Sequence, residues 1–189
     1  GGEIITNIYT RSKKVDERTI LTFMGKRFVG VKTIGKNLFF FFENCERLIR
    51  VHLMMWGSIH VYRQNENLVK PERQIRLMLI GRKKRLVVYN APIIEVLNRE
   101  DYVKWKNEVF DPLNEWNEKE LLSELKSNSG GSPIENVLLD QRLFAGIGNI
   151  LKNEILFIAK VHPYSFVEKI PLQKLQKIIR TAYELSWAY

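Results

Sequence analysis

Cysteine is almost missing from these 189 residues. Cys45 stands alone, so no internal disulfide framework can staple the chain. Histidine is scarce as well. His52, His60 and His162 lie far apart, and with a single cysteine they exclude a cysteine-rich zinc site within this stretch. No run of about twenty apolar residues occurs, which excludes a spanning helix of ordinary length, and no signal-peptide pattern is present. From these two absences an intracellular protein is expected. Internal repeats and long low-complexity tracts are also lacking. Acidic residues are in the minority, with 21 Asp plus Glu against 30 Lys plus Arg and a net charge of +9. Such an excess favours a polyanionic partner through counterion release. Local concentrations are Arg11-Ser-Lys-Lys14, Lys26-Arg27 and Arg82-Lys-Lys-Arg85, the last read as a hairpin tip. Taken singly, each is a solvated turn as readily as a contact.

What is present changes character near position 90. Before it, short runs rich in β-branched and aromatic residues recur over 3–9, 27–32, 37–43, 48–53, 58–62, 75–80 and 85–89. Turn or polar segments such as Ile34-Gly35-Lys36 separate them, so residues 1–91 read as an antiparallel sandwich or barrel. After Asp111-Pro112 the spacing is helical over 118–126, 133–139, 149–159 and from Leu172 onward, giving a helical domain at 117–189. Residues 92–116 are expected as a linker with a short helix at 93–97. The fold class is therefore α+β. The run Phe39-Phe-Phe-Phe42 puts two rings on each face of its strand. Both faces need cover, and the sequence offers a partner for only one, which suggests that an element is missing.

One stretch carries more information than the rest. Ser132 is placed to cap a helix, Pro133 fits its first position and Glu135 closes a capping box. Gly146 and Gly148 then bracket Ile147, allowing positive φ angles and close backbone approach. Asn149 takes a cap position before a second helix, with Ile150, Leu151, Glu154, Ile155 and Ile158 behind it at helical spacing. The unpaired amides and positive dipole end of such a helix attract anions. An ordinary helical hairpin with a tight turn is the alternative reading of the same residues.

The whole segment, with Leu-Leu-Asp-Gln, Ala-Gly-Ile-Gly-Asn-Ile, Asn-Glu-Ile-Leu-Phe and His-Pro in order, resembles the helix–two-turn–helix element of the formamidopyrimidine-DNA glycosylase and endonuclease VIII family. The β-rich half resembles the endonuclease VIII branch through Gly25-Lys-Arg-Phe-Val-Gly-Val-Lys-Thr-Ile-Gly-Lys36, Arg76-Leu-Met-Leu and Val87-Val-Tyr-Asn-Ala. The resemblance implies a base-excision repair enzyme that binds double-stranded DNA containing damaged bases or abasic sites. It implies DNA glycosylase and β-eliminating lyase activity, with oxidised bases as substrates, no cofactor and a monomer. Asn149, with Gly148, would meet backbone phosphate. Lys36 would grip the phosphate beside the damaged nucleotide and support the reaction. Met54, Met55 and Trp56 fall on the family's void-filling positions, Met55 above all, whereas Leu-Met-Met-Trp as a bare run reads as buried packing. The family often has glycine where Met54 stands.

In that family the nucleophile is an exposed N-terminal proline amine on an opening helix, beside an acid/base glutamate. A terminal amine suits the task because its pKa of about 7.7–8.0 leaves a neutral fraction at pH 7, unlike lysine near 10.4. This chain reads Gly1-Gly2-Glu3 at the corresponding first strand, and Ser186-Trp-Ala-Tyr189 where the family continues into a zinc or zincless finger. The expectation is that both flanks lie outside these residues, that zinc enters only with such a finger, and that the 189 residues alone are inactive or nearly so. A catalytically inactive DNA-binding homologue and an RNA-associated protein with a related helical element are the rival readings.

Overall fold

The structure is a computed structural model that describes residues 2–114 and 116–188. The chain divides into two units, 1–104 and 105–189.

The first unit is an antiparallel sandwich, as expected. One sheet has the order β1-β6-β7-β5 and the other β2-β3-β4-β8. In chain order the strands are β1 (Asn7–Thr10), β2 (Phe28–Ile34), β3 (Asn37–Phe42), β4 (Arg47–His52), β5 (Ser58–Arg63), β6 (Ile75–Ile80), β7 (Lys84–Tyr89) and β8 (Ile93–Asn98). Of the first expected run, 3–9, only its end is strand, while Ile4 makes an isolated bridge to Arg27. A short helix, α1 (Glu17–Leu21), follows β1 and is capped by the Asp16 carboxylate, which accepts from the Thr19 amide. Period-two alternation drives the layering. Phe40, Phe42, Ile49 and Val51 of one sheet meet Ile8, Leu77, Leu79 and Val88 of the other in a single core. At the margin of its sheet, β2 slips register between Phe28 and Gly30, a bulge that bends the strand.

Three expectations for the middle of the chain are corrected here. Residues 93–97 form β8 rather than a short helix, because Ile94 and Val96 meet the core in alternation and the whole segment pairs with β4. Residues 92–116 are not a bare linker, since β8 is followed directly by α2 (Arg99–Asn107). Nor is an element missing over the phenylalanine run. Phe40 and Phe42 point into the core, while Phe39 and Phe41 meet the edge of Tyr102 on α2, with centroids 4.9 and 5.0 Å away. Arg99, at the start of α2, donates to the Cys45 and Phe42 carbonyls at 2.7 and 3.0 Å and fastens the β3–β4 turn.

The second unit packs α3 (Glu118–Asn128), α4 (Ile134–Leu139), α5 (Asn149–Ala159) and α6 (Leu172–Ala188) around a core that includes Leu121, Leu138, Phe144, Ile155, Ile178 and Ala182. Asn117 caps α3 through its side chain, accepting from the Glu120 amide. Ser132 does not cap α4, and no capping box forms. Pro133 is the cap residue without a side-chain bond, because the main chain of another segment supplies the acceptors. The Ile134 amide donates to the Ser165 carbonyl at 2.9 Å and the Glu135 amide to that of Pro163 at 3.2 Å. Glu135 instead faces Lys152 of α5 at 3.5 Å. Among the described residues no helix is long and apolar enough to cross a membrane.

Candidate nucleic-acid interface

In the second unit the critical corner lies between α4 and α5. Gly146 adopts φ +87°, a conformation that favours glycine, whereas Gly148 is extended at φ −123°. Ile147 between them is fully buried and anchors the turn in the helical core. Gln141 fastens it from the other side. Its side-chain nitrogen donates to the Ile147 carbonyl at 2.8 Å and to that of Leu139 at 3.1 Å, and its oxygen accepts from the Gly146 amide at 3.1 Å. The expected cap shifts by one residue. Gly148 is the cap of α5 and Asn149 its first helical residue, so no side chain occupies the capping site. Gly148 is half-buried, Asn149 is exposed and Ile150 is 73% exposed. The first amides of a helix have no partner within it, so this uncapped, outward start presents donors together with the positive dipole end.

In the first unit the other candidates gather at one end of the sandwich. Asn37 pairs with His52, so the β2–β3 turn holding Lys36 and the β4–β5 loop holding Met54, Met55 and Trp56 leave the same end of neighbouring strands. The reading of Leu-Met-Met-Trp as core is wrong for three of its four residues. Met54, Met55 and Trp56 are 61%, 87% and 78% exposed, and only Leu53 packs on the core. The loop is tight. The Gly57 amide donates to the Leu53 carbonyl at 2.8 Å, and a Cβ at Gly57 would lie 2.5 Å from that same oxygen. Met54 adopts φ +52°, which costs a non-glycine residue energy.

His52 holds that strained residue. Its Nδ1 accepts from the Met54 amide at 3.1 Å, which requires an unprotonated nitrogen. Desolvation first, then the nearby charges of Arg50 and Lys36, lower its pKa from the ordinary value and favour that neutral form. Lys36 is exposed overall, yet partial desolvation of its ammonium draws its pKa below the usual lysine value. Beneath the turn, Arg50 fixes Asn37, donating from Nε and Nη2 to Asn37 Oδ1 at 3.1 and 3.0 Å. Arg50 also meets Glu95 at 2.6 Å, and Lys14 meets the other oxygen of Glu95 at 2.6 Å. Lys14 first and then Arg50 hold the Glu95 carboxyl below the ordinary range.

The basic clusters are absorbed only in part, and the Arg11, Arg82, Lys83 and Lys84 side chains stay exposed. Lys14 serves Glu95, Arg27 pairs with Glu43, and Arg82 to Arg85 lie at the β6–β7 hairpin, where the Lys83 and Lys84 amides donate to the Glu3 carboxylate. Sequence reasoning overlooked the 90–92 turn. It lies at the same end as Lys36 and Met55, because Tyr89 pairs with Ser58 and Ile93 with His52. Asn90 in that turn has φ +52°, and an Asn before Ala-Pro was the available signal. Gln141 stands in the Leu-Leu-Asp-Gln motif, which gives no local sign of its clasp on the turn. Gly1 lies outside the described residues. Among the described residues no group of three His, Cys, Asp or Glu could hold a metal ion.

A sandwich with one loaded end and a helix–two-turn–helix unit define the fold of the formamidopyrimidine-type DNA glycosylases. Residues 110–186 match the family model of the formamidopyrimidine-DNA glycosylase H2TH domain. The formamidopyrimidine-DNA glycosylase of Ureaplasma parvum serovar 3 is 30% identical over 165 residues, covering 84% of this chain and 59% of that protein. Endonuclease 8-like 3 of Bos taurus is 28% identical over 183 residues, covering 93% of this chain and 28% of that protein. The Lactococcus lactis enzyme, solved in a complex with DNA containing an abasic site, superposes with a TM-score of 0.84 at 22% identity, covering 99% of this chain and 72% of that one. Residues 110–186 carry the H2TH domain of the formamidopyrimidine-DNA glycosylase family, and the chain as a whole is similar to these glycosylases and endonuclease VIII-like proteins. It spans between about a quarter and three-fifths of the length of these sequence relatives.

Proposed function

We propose that this chain binds double-stranded DNA at damaged bases or abasic sites, as part of a base-excision repair glycosylase with abasic-site lyase activity on oxidised bases. One observation carries the reading: three large apolar side chains stand unburied on a tight loop beside a lysine, where burial would otherwise be favoured. A base inside a duplex is out of reach of a side chain, so the nucleotide must be extruded and its gap filled. Met55 fills that gap, flanked by Met54 and Trp56, because a flexible thioether and a broad indole both suit the space between bases. Lys36 holds the adjoining phosphate as a point charge on a flexible stem. The open start of α5, at Gly148 and Asn149, receives a phosphate of the sugar-phosphate backbone. The proposed work lies where the DNA is, inside the cell. No described residue is assigned as the nucleophile, and Lys36 acts as support.

Two measurements test this. In duplexes carrying 2-aminopurine at the target, the parent chain should raise fluorescence by unstacking the base, and Met55→Ala should lose most of that rise while still binding. Equal fluorescence from parent and variant would remove Met55 from the gap. Borohydride trapping on abasic-site DNA separates the roles further. Efficient capture by these 189 residues would show that they contain a working amine, against the expectation of little activity, whereas no capture by a longer form of the protein would favour a DNA-binding homologue without lyase chemistry.

A further inference from the structure

The outer side of the β1-β6-β7-β5 sheet, turned from the sandwich core, carries cations without acidic partners. Ile8, Leu77, Leu79 and Val88 fill the core, so alternation puts Tyr9, Met78, Arg85 and Val87 on the outer side. Residues 64–74 cover the β5–β7 half of this face. Lys70 Nζ donates to Ser58 Oγ at 2.8 Å above the Tyr89 ring, and Arg85 donates to the Glu66 carbonyl. The β1–β6 half is more open. Tyr9 and Arg11 are exposed, and the Arg11 guanidinium lies 5.6 Å from the Tyr9 ring centroid, its Nε donating to Tyr9 Oη.

Arg76 borders this face, its carbonyl bonded to the Arg11 amide. It is the extra residue where the β6–β7 register shifts between Ile75 and Leu77, and it is half-buried. Its Nε is shut away from solvent with no hydrogen-bond partner among the described residues, an expensive state for a guanidinium. Among the described residues, none of Arg11, Lys70, Arg76 and Arg85 forms an ion pair. The covering segment has two carboxylates: Glu66 is turned to the Arg63 amide, and Glu72 forms no ion pair among the described residues. Arg11 and Arg76 share one end, because the Arg11 amide donates to the Arg76 carbonyl, while Arg85 stands opposite Ile80, four residues along β6. That separation is roughly 13 Å at about 3.3 Å per residue, too wide for one small anion and suited to successive phosphates.

We infer that this face is a second nucleic-acid contact, taking the sugar–phosphate backbone of a strand laid along β1 and β6, with Arg76 and Arg11 on phosphate and Tyr9 beside the sugars. It lies wholly in the first unit and does not depend on the glycosylase reading. The test uses the full chain and a fluorescein-labelled undamaged duplex, with dissociation constants followed against salt. Arg11→Gln with Arg76→Gln removes two cations. The slope of log Kd on log salt should become shallower by roughly 1.8, at about 0.9 per phosphate contact. An unchanged slope in a double variant that melts like the parent overturns the proposal. Should the variant fail to fold, phenylglyoxal modification of the parent chain decides. DNA should protect Arg11 but not Arg27 on the other sheet, and equal modification of Arg11 with and without DNA also overturns it. Asn149→Ala, measured alongside, reports the helix contact separately.

Discussion

Tyr102 stands edge-on to Phe39, their ring centroids 4.9 Å apart and their planes at 65°, and it meets Phe41 in the same way at 83°. Both aromatic neighbours belong to the face of β3 that the core of the sandwich does not reach, so one ring on α2 does the covering. Tyr102→Ala should destabilise the first unit by about 3 kcal/mol, the usual cost of removing a buried aromatic. Urea unfolding followed by tryptophan fluorescence measures it. A loss under about 1 kcal/mol would mean that the rings find other cover.

Met54 carries backbone strain that glycine would not feel. Met54→Gly should raise stability by about 1 kcal/mol through relief of the left-handed conformation. Thermal unfolding would register this as a rise of several degrees in Tm. A fall instead would show that the exposed thioether packs usefully in the free protein.

His52 gives the loop a pH dependence of defined sign. Its folded pKa lies below the ordinary 6.5, so its contribution is complete above that value and is lost as pH falls through the lower folded pKa. Protonation converts Nδ1 to a donor and ends its bond to the Met54 amide. An NMR titration of the His52 ring should give a midpoint under 6.5, with the Met54 amide resonance moving in step. A midpoint at or above 6.5 contradicts the environment described.

Gln141→Ala would strip three hydrogen bonds from the turn before α5 without touching any residue proposed to meet DNA. The expected cost is about 1–3 kcal/mol of stability, and a loosened corner should also weaken DNA binding several-fold. Gln141→Glu keeps the acceptor for the Gly146 amide and should recover part of both. Calorimetry with anisotropy follows the two together. Loss of stability with unchanged affinity would confine Gln141 to packing.

Asn149→Ala should weaken binding by roughly tenfold, as expected for one hydrogen bond to a charged group, and by the same factor on every sequence tested. Anisotropy on several unrelated duplexes at moderate salt measures it. Unchanged affinity takes Asn149 out of the interface.

Much of the architecture could be read from residue order because its signals are local. Among the described residues, seven of the eight strands follow from runs of β-branched and aromatic residues, and α5 from helical spacing between Asn149 and Ala159. The exception is instructive. Ile93-Ile-Glu-Val-Leu holds three β-branched residues, a strand signal that the helical expectation passed over, and pairing with β4, some forty residues earlier, completes it. Capping failed for a related reason. Ser132 has the right chemistry, but the carbonyls of Pro163 and Ser165, about thirty residues downstream, reach the amides of α4 first. For the candidate site, sequence singled out Lys36, the Met-Met-Trp loop and the Gly-Ile-Gly-Asn corner, and the structure adds their exposure and the supports of each. Arg50, His52 and Gln141 do that supporting through distant contacts, which no local pattern announces.

The kink at Gly30 bears on how the molecule behaves at high concentration. β2 is an outermost strand whose Val29 and Val31 face water, an arrangement that would invite a neighbouring chain to add its own strand. Residues 3–5 already bond to 26–28 along this margin, and the slip between Phe28 and Gly30 bends the strand just beyond them. The stretch left for a neighbouring chain to extend is therefore only the few residues from Gly30 to Ile34, a short footing for strand-to-strand growth.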